Sequence, residues 1–542
     1  MPATYPDSAQ LKGRDRKISE ALLNKKRFRV LGLTPDDVIK YFFQGNAAVA
    51  ILVLVLIMVF LLREGAGFFG QNLRNLRIYR LAGLEYVDFI KREVEAHTEL
   101  TRAANALRMR QFDAYLKEGK TIEEANEALA QYDLFATAFG DTVNEVRSIA
   151  SDMTEAAVAI KEKEQIYRDT LEQKAMLLRA GRSAEAEAVV ASSVDFKSEV
   201  EALKAMQPAF LAANVEFASK IKAALALGGR EPLQAPYMGP FNQLKKHAET
   251  YLNSFASVEA QMARWTNDQP IPWYESVTAF LFGREWLTAS FWQDWYGVIP
   301  LFVGSLLVSA IALAIAVPLG VAGAIYVSEI ASAAEKGIIK PYIEFISAIP
   351  SVVLGFFGVA VLGQCLRAVS QTPWLSWFPG FPMSERLNSL TAGCLLAFMA
   401  IPTIFSLAED ALNNVPRHFK EASYALGATR FQTIVRILMP ASLSGIISAI
   451  LLGFGRVIGE TMVVLLCAGN RIAIPDFTQG IGAFFQPVHT MTGIIAQEMG
   501  EVVPGSIHYR ALFMVGIVLF IIALGVNFLA QRIVKRYRIS IG

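Results

Sequence analysis

Arg456 and Glu460 stand four residues apart in an apolar stretch of this 542-residue chain, with Thr461 following and Gly455 and Gly459 between and beside them. On a helix that spacing puts a guanidinium and a carboxylate on one face, where they can pair. A charge near the middle of a membrane costs at least about 2.5 kcal/mol, so two of them require a protected interior or a wet pathway. The planar guanidinium fork suits the oxygens of an oxyanion better than a point charge does. Glu460 can then hold the arginine in place and balance it while no anion is present. The other use of such a pair is a salt bridge locking helices together. Gly455, Gly459 and Thr461 fit both uses, as small groups that let helices approach or expose backbone to a permeating ion.

A second pattern lies just upstream, in KEASYALGATRFQTIVRILMP. Glu421 is followed by the small residues Ala422 and Ser423, then by Gly427, Ile437 and Pro440 at fixed spacing. Polar backbone is not tolerated in lipid, so a polar helix-turn-helix between two apolar spans faces water or another protein. Ala422 and Ser423 would let a neighbouring subunit approach the first short helix closely, and Gly427 permits the turn that ends it. Pro440 would open the next span, where a missing N–H costs nothing.

The elements that must position these residues are membrane spans. Hydrophobic residues make up 53% of the chain, more than soluble domains carry. Crossing a core of about 30 Å takes roughly 20 helical residues, and six stretches qualify: 41–62, 300–327, 342–366, 390–407, 441–466 and 511–530. Pro318, Pro350 and Pro402 fall in or beside three of them and predict kinks.

Lys12, Arg14, Arg16, Lys17, Lys25, Lys26, Arg27 and Arg29 precede the first span, which predicts a cytoplasmic amino-terminal segment over 1–40. Counting spans from there puts Lys336, Lys340, the Glu421 loop (410–440) and the tail with Arg532, Lys535, Arg536 and Arg538 on the same side. Both termini are therefore expected in the cytoplasm. A net charge of +2 is explained by this bias and gives no case for nucleic acid. Cys365, Cys394 and Cys467, and the five histidines, are scattered and offer neither a metal site nor a disulfide framework. No cofactor is expected.

Residues 63–295 have another composition, rich in Glu, Lys, Arg and Ala, and predict a helical extracytoplasmic insertion between the first two spans. Apolar positions step by three and four from Val143 through Val146, Ala150, Met153, Ala157, Ile160, Tyr167 and Leu171 to Leu178, which predicts one long amphipathic helix ended by Gly181. Further helices are expected over 80–118, 121–139 and 241–264. Another is expected over 184–227, bent at Pro208 and stopped by Gly228 and Gly229, with a Pro/Gly-bearing linker over 230–240. Short connections favour a bundle or hairpin. The insertion shows no ligand constellation, and reads as a spacer, a sensor or a docking stalk.

The Glu421 pattern is similar to the cytoplasmic loop of ABC importer permeases, with Ser423 in place of a second Ala and Met439 in place of Leu. From Tyr296 onward the chain resembles the PstC-type permease of the bacterial phosphate-specific ABC importer, through YGVIPLFVGSLLVSAIALAIAVPLGVAGAIYVSE, ISAIPSVVLGFFG and, most specifically, GFGRVIGETMVVLLCAGN. The resemblance implies an all-α, six-span inner-membrane permease of the type I importer architecture, its transmembrane domain over 296–542, that carries phosphate in a membrane lipid setting. It implies a role in transport for Arg456 and Glu460, with Thr461 beside them, and ATPase coupling through Glu421, Ala422, Ser423, Gly427 and Pro440. It also implies partners: a PstA-like second permease subunit, a dimer of ATP-binding subunits and an extracytoplasmic phosphate-binding protein. No G-x-x-x-x-G-K-[ST] loop occurs, so ATP hydrolysis is expected in a partner. A permease for another oxyanion or small solute, and a membrane-anchored sensor, are the alternatives.

Overall fold

The computed structural model describes residues 35–227, 235–288, 290, 292–375, 378, 380–383 and 385–537. The basic residues up to Arg29, the tail at Arg538, Gly228, Gly229 and the first part of the linker lie outside the described residues. The chain divides into two compact units, 1–65 and 66–542. In the first, the described residues belong to helix α1 (Pro35–Leu81), and Phe42, Ile51, Leu54, Leu56 and Val59 are exposed, as a lipid-facing surface is. The helix does not stop at the expected residue 62 but runs on to Leu81.

The second unit holds the insertion: α2 (Leu84–Lys117), α3 (Ile122–Asp141), α4 (Asn144–Arg179), α5 (Ser183–Ala188), α6 (Phe196–Lys204), α7 (Gln207–Leu227), α8 (Ala235–Arg264) and α9 (Trp273–Phe282). The 3,4-spacing read along 143–178 becomes α4, which buries Val146, Ala150, Met153, Ala157 and Ile160. Thr121 and Glu124 close a reciprocal capping box at the start of α3. The 184–227 segment is not one bent helix. It breaks into three, and Pro208 stands in the first turn of α7, where a proline's missing N–H has no helical partner to lose. Residues 235–240 of the expected linker are likewise helical, with Pro240 inside α8.

Helices α2, α3, α4, α7 and α8 pack around one core of Tyr86, Tyr132, Phe135, Phe139, Phe210 and Phe217. The rings of Phe135 and Phe241 meet edge to face at 5.4 Å, and those of Phe217 and Phe255 stack at 5.5 Å. Glu93 and His97 are enclosed in it as well. Glu93 is 3% exposed and burial pushes its carboxyl up to about 7. His97 is fully buried, with Nε2 at 2.9 Å from the Phe139 carbonyl, and burial lowers its pKa to about 4.

These shifts act in opposite directions. Between its ordinary value of 4.5 and about 7, Glu93 is ionised in the unfolded chain and neutral in the folded one, so its contribution to stability is lost as pH rises. His97 makes the fold less stable as pH falls from 6.5 towards about 4. Glu93→Gln is therefore expected to stabilise the insertion at pH 8, by up to about 3 kcal/mol, and to change it little at pH 5. Melting of the full chain at the two pH values measures this, and an equal gain at both contradicts it.

Five further spans follow: α10 (Ile299–Ile330), α12 (Ser351–Ser370), α13 (Ser389–Asn413), α15 (Arg430–Ile458) and α18 (Ile507–Tyr537). With α1 they make six helices long and apolar enough to cross a membrane. Helices α10, α13 and α15 form the centre, around Val308, Ala312, Leu396 and Ile404. A two-stranded hairpin, β1 (Trp286–Leu287) and β2 (Trp295–Tyr296), joins the insertion to α10 through a cluster containing Phe68, Phe280, Tyr296, Leu301 and Leu512.

Two spans depart from expectation. The stretch 342–366 is not one span: α11 (Ala333–Ala348) ends before Ile349 and Pro350, both extended, and α12 begins at Ser351. A residue preceding proline is pushed out of the helical region, which accounts for the break. The stretch 441–466 is also interrupted. Helix α15 starts earlier, at Arg430, ends at Ile458, and resumes as the short α16 (Met462–Cys467).

Candidate translocation and coupling sites

The second break sits among the residues singled out by sequence. Because α15 stops at Ile458, Glu460 is not one helical turn beyond Arg456, and no ion pair between them occurs among the described residues. Instead Arg456 Nη1 donates to Thr403 Oγ1 of α13 at 2.9 Å. Glu460 turns back to accept from the Met462 N–H at 3.0 Å, capping α16. Thr461 is the N-cap residue of α16, half-buried, with its side chain making no capping bond.

Arg456 is exposed, and so are Leu452, Gly455 and Gly459 around it, so this face of α15 is uncovered by its own chain. A charged guanidinium beside apolar surface needs either water or a covering partner with polar groups. Non-helical backbone at membrane depth has the same requirement. Here the Glu460 carbonyl is satisfied by Thr492 Oγ1 at 2.8 Å.

That bond belongs to a hydroxyl cluster that sequence reasoning missed. Ser305, Ser309, Thr490 and Thr492 are all buried around Glu460, and Ser305 Oγ accepts from the Met491 N–H at 2.9 Å. Helix α17 (Met491–Glu498) begins there, and α10 approaches so closely that a Cβ on Gly304 would stand 2.0 Å from the His489 carbonyl oxygen. Ser305 and Ser309, four apart in an apolar run, were the available signal.

The Glu421 segment forms the expected helix-turn-helix. Helix α14 (Arg417–Ala425) ends at Gly427, whose φ of 79° is left-handed with open space around it, so the need for glycine there is conformational. Thr429 and Gln432 then cap the start of α15. Glu421 and Ala422 are exposed, with Tyr424, Leu426 and Phe431 as exposed apolar neighbours. Leu426 is 90% exposed.

Ser423 does not join that outer surface. It is buried and its hydroxyl lies 2.9 Å from Thr433 Oγ1, bracing the two short helices against each other. Pro440 stands in the first turn of the regular α-helical stretch Met439–Ile458. The span itself begins earlier, at Arg430, and reaches that stretch through a widened turn over Ile434–Leu438 in which the Met439 N–H donates back to the Ile434 carbonyl.

Behind α14 lies an ion network with no sequence signature. Lys420 Nζ donates to Glu329 Oε1, at the end of α10, at 2.6 Å. Lys340 of α11 meets Glu409 of α13 at 2.8 Å, and the Glu409 carboxylate holds the Lys340 ammonium above the ordinary lysine range. Ser328 Oγ is 3.0 Å from Asn413 Oδ1, and Asn413 Nδ2 donates to Glu409. Both carboxylates are only 6% exposed. These contacts join α14 to α10, α10 to α13 and α13 to α11. Among the described residues no group of three or more His, Cys, Asp or Glu is placed to hold a metal.

Residues 316–539 match the model of the binding-protein-dependent transport system inner membrane component family. The chain is 37% identical over 258 residues to the probable ABC transporter permease protein YqgH of Bacillus subtilis, covering 46% of this chain and 78% of that protein. It is 31% identical over 266 residues to the phosphate transport system permease protein PstC of Pasteurella multocida, covering 48% and 80%. With PstC of Haemophilus influenzae the identity is 32% over 276 residues, covering 48% and 84%. The chain therefore belongs to the ABC transporter permeases, as the membrane-spanning subunit of an importer. Within them it is of the PstC type.

Proposed function

We propose that this permease carries phosphate across the bacterial inner membrane, with the 1–40 segment and both termini cytoplasmic and the 63–295 insertion on the outer side. The observation that carries the reading is Arg456, a guanidinium on a face its own chain leaves uncovered, beside the break between α15 and α16. A second, PstA-like permease facing it would complete a polar pathway, in which Arg456 takes the anion's oxygens with Glu460 and Thr461 at the break. The relatives named for phosphate transport support that choice of anion.

Coupling runs through the other end. A dimer of ATP-binding subunits docks on Glu421, Ala422 and the apolar Tyr424, Leu426 and Phe431, while Ser423, Gly427 and Pro440 shape the segment they push on. A phosphate-binding protein delivers the anion from outside, and closing of the ATPase pair reorients the spans as rigid bodies. The test is ATP hydrolysis by the reconstituted complex. Phosphate-loaded binding protein is expected to stimulate it, and sulfate or molybdate is not. Equal stimulation by all three assigns a general oxyanion permease, and none at all favours a sensor.

A further inference from the structure

The insertion and the permease loops line an open cleft of about 980 Å³, in which Arg102, Glu385 and Arg471 are exposed. Arg102 reaches it from α2, Arg386 from the segment before α13, and Arg471 from the segment after α16. Glu385 and Asp476 also line it. Some arginines of the insertion are taken up by carboxylates, as in Arg80 with Glu85, Arg108 with Asp133 and Arg168 with Glu164. Inside the cavity none of the three arginines has an ion pair or a side-chain hydrogen bond among the described residues, although two carboxylates are at hand. Asp476 is committed to its own turn, accepting from the Thr478 N–H at 3.0 Å.

We propose that this cleft is an anion-capture site for a soluble tetrahedral oxyanion that still carries a proton, inorganic phosphate being the case in point. It rests on the phosphate reading for the identity of the anion, not for its charge. Guanidiniums contributed by three separate chain segments match an acceptor with oxygens on several sides. Concave walls focus their field and raise the local anion concentration. Glu385 supplies what a bare arginine cluster lacks, an acceptor for a P–OH hydrogen, and it repels an anion with no proton to donate. The cavity is large enough for the ion with bound water, which suits transit rather than storage. The insertion is then part of the permeation route, through Arg102, and not only a spacer.

The experiment uses the full chain carrying Arg456→Gln, in nanodiscs of neutral lipid at low salt, with radiolabelled inorganic phosphate as probe. One phosphate per chain is expected to bind. Arg102→Gln, Arg386→Gln and Arg471→Gln are each expected to weaken it about tenfold, and Glu385→Gln to erase the preference for phosphate over sulfate. In the otherwise native complex, Arg102→Gln is expected to raise the KM of uptake and leave the maximal rate unchanged. Unaltered binding in the triple arginine variant overturns the proposal. So does displacement of phosphate by phosphatidylglycerol, which assigns a lipid headgroup, or intact phosphate binding with lost docking of the binding protein, which assigns a protein surface. Phosphate binding that is lost in the triple arginine variant, in a complex that moves no phosphate, upholds the cleft while the phosphate-transport reading falls; sulfate binding without phosphate binding overturns the cleft itself.

Discussion

Arg456→Gln is expected to lower ATP-driven phosphate uptake at least about 100-fold while the complex still assembles. The guanidinium offers two charge-assisted hydrogen bonds to an anion, each worth about 1.5 to 3 kcal/mol, and a neutral amide replaces neither. Because Arg456 is exposed and, among the described residues, bonded only to Thr403, its loss opens no cavity in the packed centre of α10, α13 and α15. Arg456→Lys keeps the charge without the fork and is expected to fall between. Initial uptake rates, normalised to assembled complex, read the series. Glutamine at near-native rate removes Arg456 from the pathway.

Lys420→Met is expected to uncouple ATP hydrolysis from transport and to destabilise the chain by about 3 kcal/mol. The substitution leaves the Glu329 carboxylate, 6% exposed, without its ammonium. An uncompensated enclosed charge costs more than the intact pair contributes, so Glu329→Gln/Lys420→Met is expected to recover much of the stability. It is not expected to recover coupling, because α14 is then no longer fastened to the end of α10. Thermal melting and the number of phosphates moved per ATP separate the two effects. Normal coupling in Lys420→Met would show that force does not pass through this contact.

The six spans and the main insertion helices were legible because both rest on composition and periodicity along one segment. Hydropathy could not show where a span breaks: the run 441–466 is apolar on average despite Arg456 and Glu460, and only Gly459, Glu460 and Thr461 hint that α15 stops at Ile458. That break separates Arg456 from Glu460, which a continuous helix would have paired. Ser423 was read as an outer small residue, since sequence does not say which side of a short helix is covered; Thr433, ten residues on, covers it. The partners of Glu329 and Glu409 were out of reach for a simpler reason. Lys420 lies 91 positions from Glu329, and nothing local in either segment specifies the other. The arginine cleft likewise gathers residues 102, 386 and 471, which are neighbours only in the folded chain.

The central claim is that this chain conducts phosphate under the control of ATP. Accumulation of radiolabelled phosphate in proteoliposomes holding the permease pair, the ATP-binding subunits and the binding protein tests it most directly. The account predicts accumulation that requires ATP, resists excess sulfate and molybdate, and disappears in Arg456→Gln. No accumulation by the native complex, or accumulation abolished equally by sulfate, would contradict it.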